Sequence, residues 1–211
     1  LDMANNHQGD VAHGVRIISE MGEVVRRHDV KGLIKFQFRQ LDTFIHPDHA
    51  VTSDNKHIPR FLSTKLDLDD YKQLLSQIRL SNMSAICTPF DEESVNAIVN
   101  MGFDMLKVAS CSAKDWPLLE EVAKANLPVI FSTGGLQICE IDEVASFFEH
   151  RGVDFAIIHC VSIYPTPDDK CELNQIEILK ARYPDKVIGW STHEAPNALA
   201  PVQVAYAKGA R

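Results

Sequence analysis

Phe155-Ala156-Ile157-Ile158 halting at His159-Cys160, and Val187-Ile188-Gly189-Trp190 halting at Ser191-Thr192-His193-Glu194, are the runs that decide the fold. Between them lie a Tyr164-Pro165-Thr166-Pro167 turn and a segment of helical character. Two short apolar strands separated by a helix, each ending abruptly in polar side chains, are how a βαβ unit of a parallel sheet reads in sequence. Chemistry in such sheets gathers at the carboxyl ends of the strands.

Outward from this unit the alternation repeats. Strands are expected at Leu33 to Phe38, Ala85 to Thr88, Met105 to Ala109 and Pro128 to Phe131. Helices are expected after Asp10, over Asp67 to Leu80, Glu92 to Asn100, Pro117 to Ala125, Ile141 to His150 and Leu199 to Lys208. Leu1 to Ala4 reads as the end of a further strand, giving seven with the first one clipped. The fold class is therefore α/β, a (β/α)₈ TIM barrel that is incomplete, with strand 1 clipped and strand 8 missing. The competing doubly wound sheet would place a Gly-x-Gly-x-x-Gly or a P-loop after a strand, and neither occurs. Residues 41 to 64, with His46, His49 and His57, read as one long irregular stretch. The His46 and His49 pair lacks anything nearby to complete a metal site, so a solvated loop is the reading there.

With 211 residues, 45% hydrophobic and 24% charged, the chain has material for one well-filled core, and a single domain over 1–211 is expected. A net charge of −8 without a basic run argues against nucleic acid, and any anion site must be a local cluster of cations. The five cysteines contain no CxxC and are read as reduced thiols of a cytoplasmic protein. No apolar run is long enough to span a membrane, and no signal peptide is legible. The lack of an initiating Met, and an end just past a helix, read as a fragment.

If the strand ends share one mouth, it receives Asn6, His7, Lys35, Gln37, Thr88, Lys107, Ser110, Ser132, Thr133, His159, Ser162, Tyr164, Ser191 and His193. A lysine inside an apolar strand is costly unless it faces a wet or anionic space. Two of them, Lys35 and Lys107, among hydroxyls and a glycine-rich turn suggest a cradle for phosphate or carboxylate. The plainer alternative is that each lysine neutralises an acidic neighbour. His193 is open between metal ligand, general acid or base, and core histidine, whereas His159 reads as structural or as a support behind the residues that touch a ligand. Glu194, Asp168 and Asp169 are carboxylates near the mouth or simply caps. Cys111 and Cys160 have no partner of defined geometry in the sequence.

The ordered set Asn6-His7-Gln8-Gly9-Asp10, Ile34-Lys35-Phe36-Gln37, Cys87-Thr88-Pro89-Phe90-Asp91, Leu106-Lys107-Val108-Ala109-Ser110, Phe131-Ser132-Thr133-Gly134, His159-Cys160-Val161-Ser162-Ile163-Tyr164-Pro165-Thr166-Pro167 and Trp190-Ser191-Thr192-His193 resembles the sialic acid synthase family. The resemblance implies a barrel that condenses phosphoenolpyruvate with an N-acetylated aldehyde sugar of the N-acetylmannosamine type. C3 of phosphoenolpyruvate attacks the sugar aldehyde, water adds at C2 and phosphate leaves, giving a nonulosonic acid. It implies phosphoenolpyruvate contacts from Lys35, Thr88, Lys107, Ser110, Ser132, Tyr164 and Ser191, with Gln37 and Ser162 beside them. It also implies a divalent metal, Mn²⁺ or Mg²⁺, on His193 and on a second histidine after strand eight, so that Lys35, Lys107 and His193 form the catalytic set.

The implied partners are phosphoenolpyruvate and an N-acetyl sugar, with no nucleic acid and no membrane. The full-length protein is implied to be a homodimer whose C-terminal antifreeze-like domain, absent from this chain, reaches over the partner's mouth; this stretch alone is expected to be inactive. The chain departs from the family pattern where Ser-Gly-Glu reads Ser110-Cys111-Ser112 and Tyr-Ser-Asp-His reads Trp190-Ser191-Thr192-His193. Two alternatives therefore stand beside the main reading: a related synthase using another sugar for surface polysaccharide, and a non-catalytic sugar-phosphate binding barrel, which Ser112 and Thr192 favour.

Overall fold

The computed structural model describes residues 1–50, 54–55 and 57–211. In chain order the elements are α1 (Val11–Arg27), β1 (Leu33–Phe38), α2 (Leu41–Phe44), α3 (Pro47–Ala50), α4 (His57–Ser63), α5 (Leu68–Leu80), β2 (Ser84–Pro89), α6 (Glu92–Met101) and β3 (Met105–Val108). They continue with α7 (Trp116–Lys124), β4 (Val129–Ser132), α8 (Ile138–His150), β5 (Phe155–Cys160), α9 (Asn174–Arg182), β6 (Ile188–Ser191) and α10 (Ala200–Ala207). Short 3₁₀ turns at Ser110–Ser112 and Asp168–Lys170 follow β3 and β5. The strands follow one another in the sheet in sequence order, β1-β2-β3-β4-β5-β6. Strands in sequence order with a helix after each are the topology of an incomplete (β/α)₈ barrel. By its contacts the chain divides into two compact units, Leu1–Leu106 and Lys107–Arg211.

Capping explains where the helices begin. Asp10 accepts the His13 N–H, Asp91 the Ser94 N–H and Asp115 the Leu118 N–H. Asp67 and Asp70 form a reciprocal capping box at the start of α5. In the first unit β1 and β2 run parallel with Lys35 opposite Ile86 and Gln37 opposite Thr88. Ile34, Phe36 and Phe38 are buried, and the Phe36 and Phe38 rings meet Tyr71 of α5 edge-on at 6.0 and 5.3 Å. The period of two thus turns Lys35 and Gln37 to the other face. Helix α1 lies close along α5, where a Cβ on Gly14 would sit 2.8 Å from the Leu74 side chain.

In the second unit β4, β5 and β6 are parallel. Phe131, Phe148 and Phe155 cluster between β4, β5 and α8 with centroids 5.8 to 6.1 Å apart. The same alternation sends Ile130 and Ser132, and Ile158 and Cys160, to the opposite face. No helix among the described residues is long and apolar enough to cross a membrane, and all five cysteines are free.

One expectation holds and one needs correction. Leu1 to Ala4 is the clipped end of a strand: Asp2 bridges Lys35 in parallel, with the Lys35 N–H on the Leu1 carbonyl at 2.8 Å and the Met3 N–H on the Lys35 carbonyl at 2.9 Å, and Ala4 at φ 40° then turns the chain away. The stretch 41 to 64 is not irregular but holds α2, α3 and α4; its residues 51–53 and 56 lie outside the described residues. These helices run only four to seven residues, too short to show a hydrophobic period in sequence.

Candidate active site

In residues 107–211 the site is built at the carboxyl ends of the strands. Lys107, on the face of β3 opposite buried Leu106 and Val108, donates from Nζ to Ser132 Oγ at the end of β4, at 2.6 Å. Ser110, in the turn after β3, accepts the Gly134 N–H at 3.0 Å and reaches Cys160 Sγ at 3.7 Å. Gly134 must be glycine here, since a Cβ would lie 2.5 Å from Ser162 Oγ, 2.9 Å from Ser110 Oγ and 3.1 Å from Cys160 Sγ. Ser191 pairs with Cys160 in the β5 and β6 register.

His193 follows β6, and contacts to both its ring and its backbone hold it. Its Nδ1 donates to the Val161 carbonyl at 2.6 Å, and its ring stacks on Tyr164 at 3.8 Å between centroids. Glu194 Oε2 accepts the His193 N–H at 2.8 Å, while Oε1 takes the Trp190 Nε1–H at 3.4 Å. The His193 carbonyl accepts from the Thr166 N–H at 2.9 Å, just beyond the cis Tyr164–Pro165 bond. Cys160 Sγ lies 3.8 Å from both ring nitrogens. Burial pushes the Cys160 thiol up, but the His193 imidazole, the Ser110 hydroxyl and Lys107 outweigh it and hold the thiol below its ordinary value. Burial pushes His193 down, yet Cys160 and the Val161 carbonyl raise it above the usual imidazole value.

In residues 1–106 the candidates sit on β1 and β2. Lys35 Nζ pairs with the Asp2 carboxylate at 3.0 Å, so this lysine has the acidic neighbour that the plainer alternative required. Gln37 Oε1 accepts from Arg39 Nη2 at 3.0 Å. Thr88 is buried, and its hydroxyl has no hydrogen-bond partner among the described residues. His7 is buried, and its Nδ1 accepts the Gly9 N–H at 3.1 Å; burial lowers its pKa.

The structure brings Lys107, Ser110, Ser132, Ser162, Tyr164 and His193 into one linked cluster through Gly134 and Cys160. His159, expected at the mouth, stands apart on the other face with Phe155 and Ile157, where Nε2 donates to the Cys171 carbonyl at 3.0 Å and the ring lies 5.1 Å from Trp190. The His46 and His49 rings are 6.1 Å apart, and no group of three or more His, Cys, Asp or Glu able to hold a metal exists among the described residues. Cys160 was not anticipated as a member of the cluster. The alternation along β5 carried the signal, since a structural His159 puts its neighbour on the opposite face.

The family described as the NeuB family matches residues 30–211. The chain belongs to the NeuB family. Among similar relatives is the N-acetylneuraminate-9-phosphate synthase of Drosophila melanogaster, 29% identical over 92% of this chain and 53% of that protein. This NeuB-family chain therefore spans about half the length of the curated relatives it matches. A structure described as a spore coat polysaccharide biosynthesis protein E from Chromobacterium violaceum is 45% identical, with a TM-score of 0.96 over 100% of this chain and 62% of the other. The N-acetylneuraminic acid synthetase of Leptospira borgpetersenii, in complex with citrate, is 28% identical, with a TM-score of 0.86 over 99% of this chain and 68% of the other.

Proposed function

We propose that the protein condenses phosphoenolpyruvate with an N-acylated aldehyde sugar, releasing phosphate and forming a nonulosonic acid. The observation that carries this reading is the Lys107 ammonium 2.6 Å from Ser132 Oγ, in a chain of net charge −8. A cation held by a hydroxyl, next to the Ser110 and Gly134 turn, suits a small dianion better than it suits a neutral ligand. Lys107 balances the charge of phosphoenolpyruvate, and Ser132, Ser110, Ser162, Tyr164 and Ser191 orient it. Lys35, Gln37 and Thr88 are assigned to the substrates as well. The new bond joins C3 of phosphoenolpyruvate to the aldehyde carbon, water oxygen enters at C2, and the C–O bond to phosphate breaks.

His193 fits a single-ligand contribution to a divalent ion, Mn²⁺ or Mg²⁺. A carbonyl can only accept, so Nδ1 carries the proton given to Val161, and Nε2 keeps its lone pair. No group of three or more His, Cys, Asp or Glu surrounds it among the described residues, and water and substrate oxygens would supply further ligands. When bound, such an ion supplies Lewis-acid polarisation of a carbonyl oxygen. The two named synthases differ in product, N-acetylneuraminate-9-phosphate and N-acetylneuraminic acid, so the sugar is proposed only as a class.

A second reading, a binding barrel without turnover, is favoured by Ser112 and Thr192, which stand where the family pattern carries carboxylates. The test is phosphate release by the full-length protein from phosphoenolpyruvate with Mn²⁺ and N-acyl sugars. Release is expected, and binding of phosphoenolpyruvate without release supports the second reading instead. Lys107→Ala should weaken apparent phosphoenolpyruvate affinity by about 1.5–3 kcal/mol, the loss of a charge-assisted hydrogen bond. Unchanged affinity in that variant defeats the assignment.

A further inference from the structure

Gln37 lies on the face of β1 opposite the buried Phe36 and Phe38. A glutamine amide can face a ligand in two senses, with its NH₂ or with its oxygen outward, and the two recognise opposite chemistry. Arg39 removes the choice. Its Nη2 lies 3.0 Å from the Gln37 side-chain oxygen, and a guanidinium has donors only, so the atom facing it must be the acceptor.

Arg39 is itself held in place. Its guanidinium carbon lies 4.2 Å from the ring centre of Phe90, 4.3 Å from Phe61 and 5.6 Å from Phe44. Those rings come from the turn after β2, from α4 and from α2, and Phe44 stands edge-on to both others at 6.1 and 6.3 Å. A planar cation between aromatic faces is fixed in orientation as well as position. The next residue is tied too, because the Gln40 N–H donates to the Asp91 carboxylate at 2.9 Å.

We infer that Arg39 is a positioning residue that locks Gln37 with its NH₂ outward, so that Gln37 reads an acceptor oxygen on the sugar. The inference rests on the synthase reading above and narrows its sugar. This amide donates to a carbonyl or hydroxyl oxygen of the sugar, whereas a group with donors only, such as an ammonium, meets donor against donor in the same place. Arg39 thus acts in recognition of the sugar without touching it.

The test compares full-length variants. Arg39→Met keeps an apolar stem among the three rings and removes the donors; the KM for the N-acyl sugar should rise roughly tenfold while the KM for phosphoenolpyruvate stays within twofold. Arg39→Lys, which keeps a donor, should recover part of the loss. Gln37→Glu retains the pairing with Arg39 as an ion pair, so thermal stability holds, but no N–H faces the sugar and its KM should rise at least as far. A readout independent of turnover is the Gln37 side-chain NH₂ signal in protein labelled with ¹⁵N-glutamine. That signal should move towards the position of a free glutamine in Arg39→Met. An unmoved amide signal, or an unchanged sugar KM in both Arg39 variants with turnover intact, overturns the inference. Absence of phosphate release by the unsubstituted protein counts against the synthase reading alone, and the amide signal then still decides for or against Arg39.

Discussion

Thr88 Oγ1 is buried without a hydrogen-bond partner among the described residues, on a residue opposite Gln37 in the β1 and β2 register. An orphaned buried hydroxyl costs about 1–3 kcal/mol, so a fold that keeps one is favoured by a ligand that satisfies it. Valine has the same shape without the hydroxyl. Thr88→Val should leave the stability of the free protein unchanged, or raise it by up to about 1 kcal/mol, while phosphoenolpyruvate binding weakens by about 0.5–1.5 kcal/mol. Thermal melts and calorimetric titration measure the two separately. A destabilised variant with full affinity would make Thr88 a packing residue only.

At the scale of elements, one carboxylate ties three of them in the first unit. Asp104, just before β3, accepts the Ala85 N–H of β2 at 2.7 Å, and Arg79 of α5 at 2.6 and 2.9 Å. Arg79 also donates to the carbonyl of Gly102, the left-handed residue that ends α6, at 3.0 Å. Burial pushes the Asp104 carboxyl up, but Arg79 and the Ala85 N–H outweigh it and hold it below the usual carboxylate range. A depressed folded pKa means that the unfolded chain takes up the proton first. The stabilisation is therefore complete above the ordinary value near ~4 and is lost as pH falls through the folded value. Both side chains are more than a third exposed, so solvent screening limits the effect, and Asp104→Asn should cost about 1 kcal/mol at pH 7. Urea unfolding between pH 6 and pH 3 should show the gap between the wild type and the variant closing as the pH falls. Parallel curves would remove Asp104 from the pH response.

At the scale of the whole molecule, the interior strand of each unit should be the most protected. β2 is paired on both sides, with β1 and β3, and β5 with β4 and β6. Cys87 and Ile157 on these strands are fully buried. Amides there open only in the larger unfolding events, whereas α4 has no buried residue among those described. Hydrogen exchange followed by mass spectrometry should find β2 and β5 exchanging on the order of 100-fold more slowly than α4. Equal rates would mean that the sheet does not carry the stability of these units.

The sequence by itself determined the alternation of strands and helices, the helix starts at Asp10, Asp67, Asp91 and Asp115, and the faces to which Lys35, Gln37, Lys107 and Ser132 turn. These depend on periods of two and 3.6 residues and on side chains that cap their own neighbours, so each is written locally. What only the tertiary structure decided lies across long separations. Lys35 meets Asp2, Cys160 meets His193 from 33 residues away, and Tyr164 stacks on His193. The three rings around Arg39 come from elements up to 51 residues away, and the helices of 41 to 64 are too short to declare themselves. No local period specifies such contacts. They follow from the direction in which the packed elements point their side chains, and packing fixes that only when the whole chain has folded.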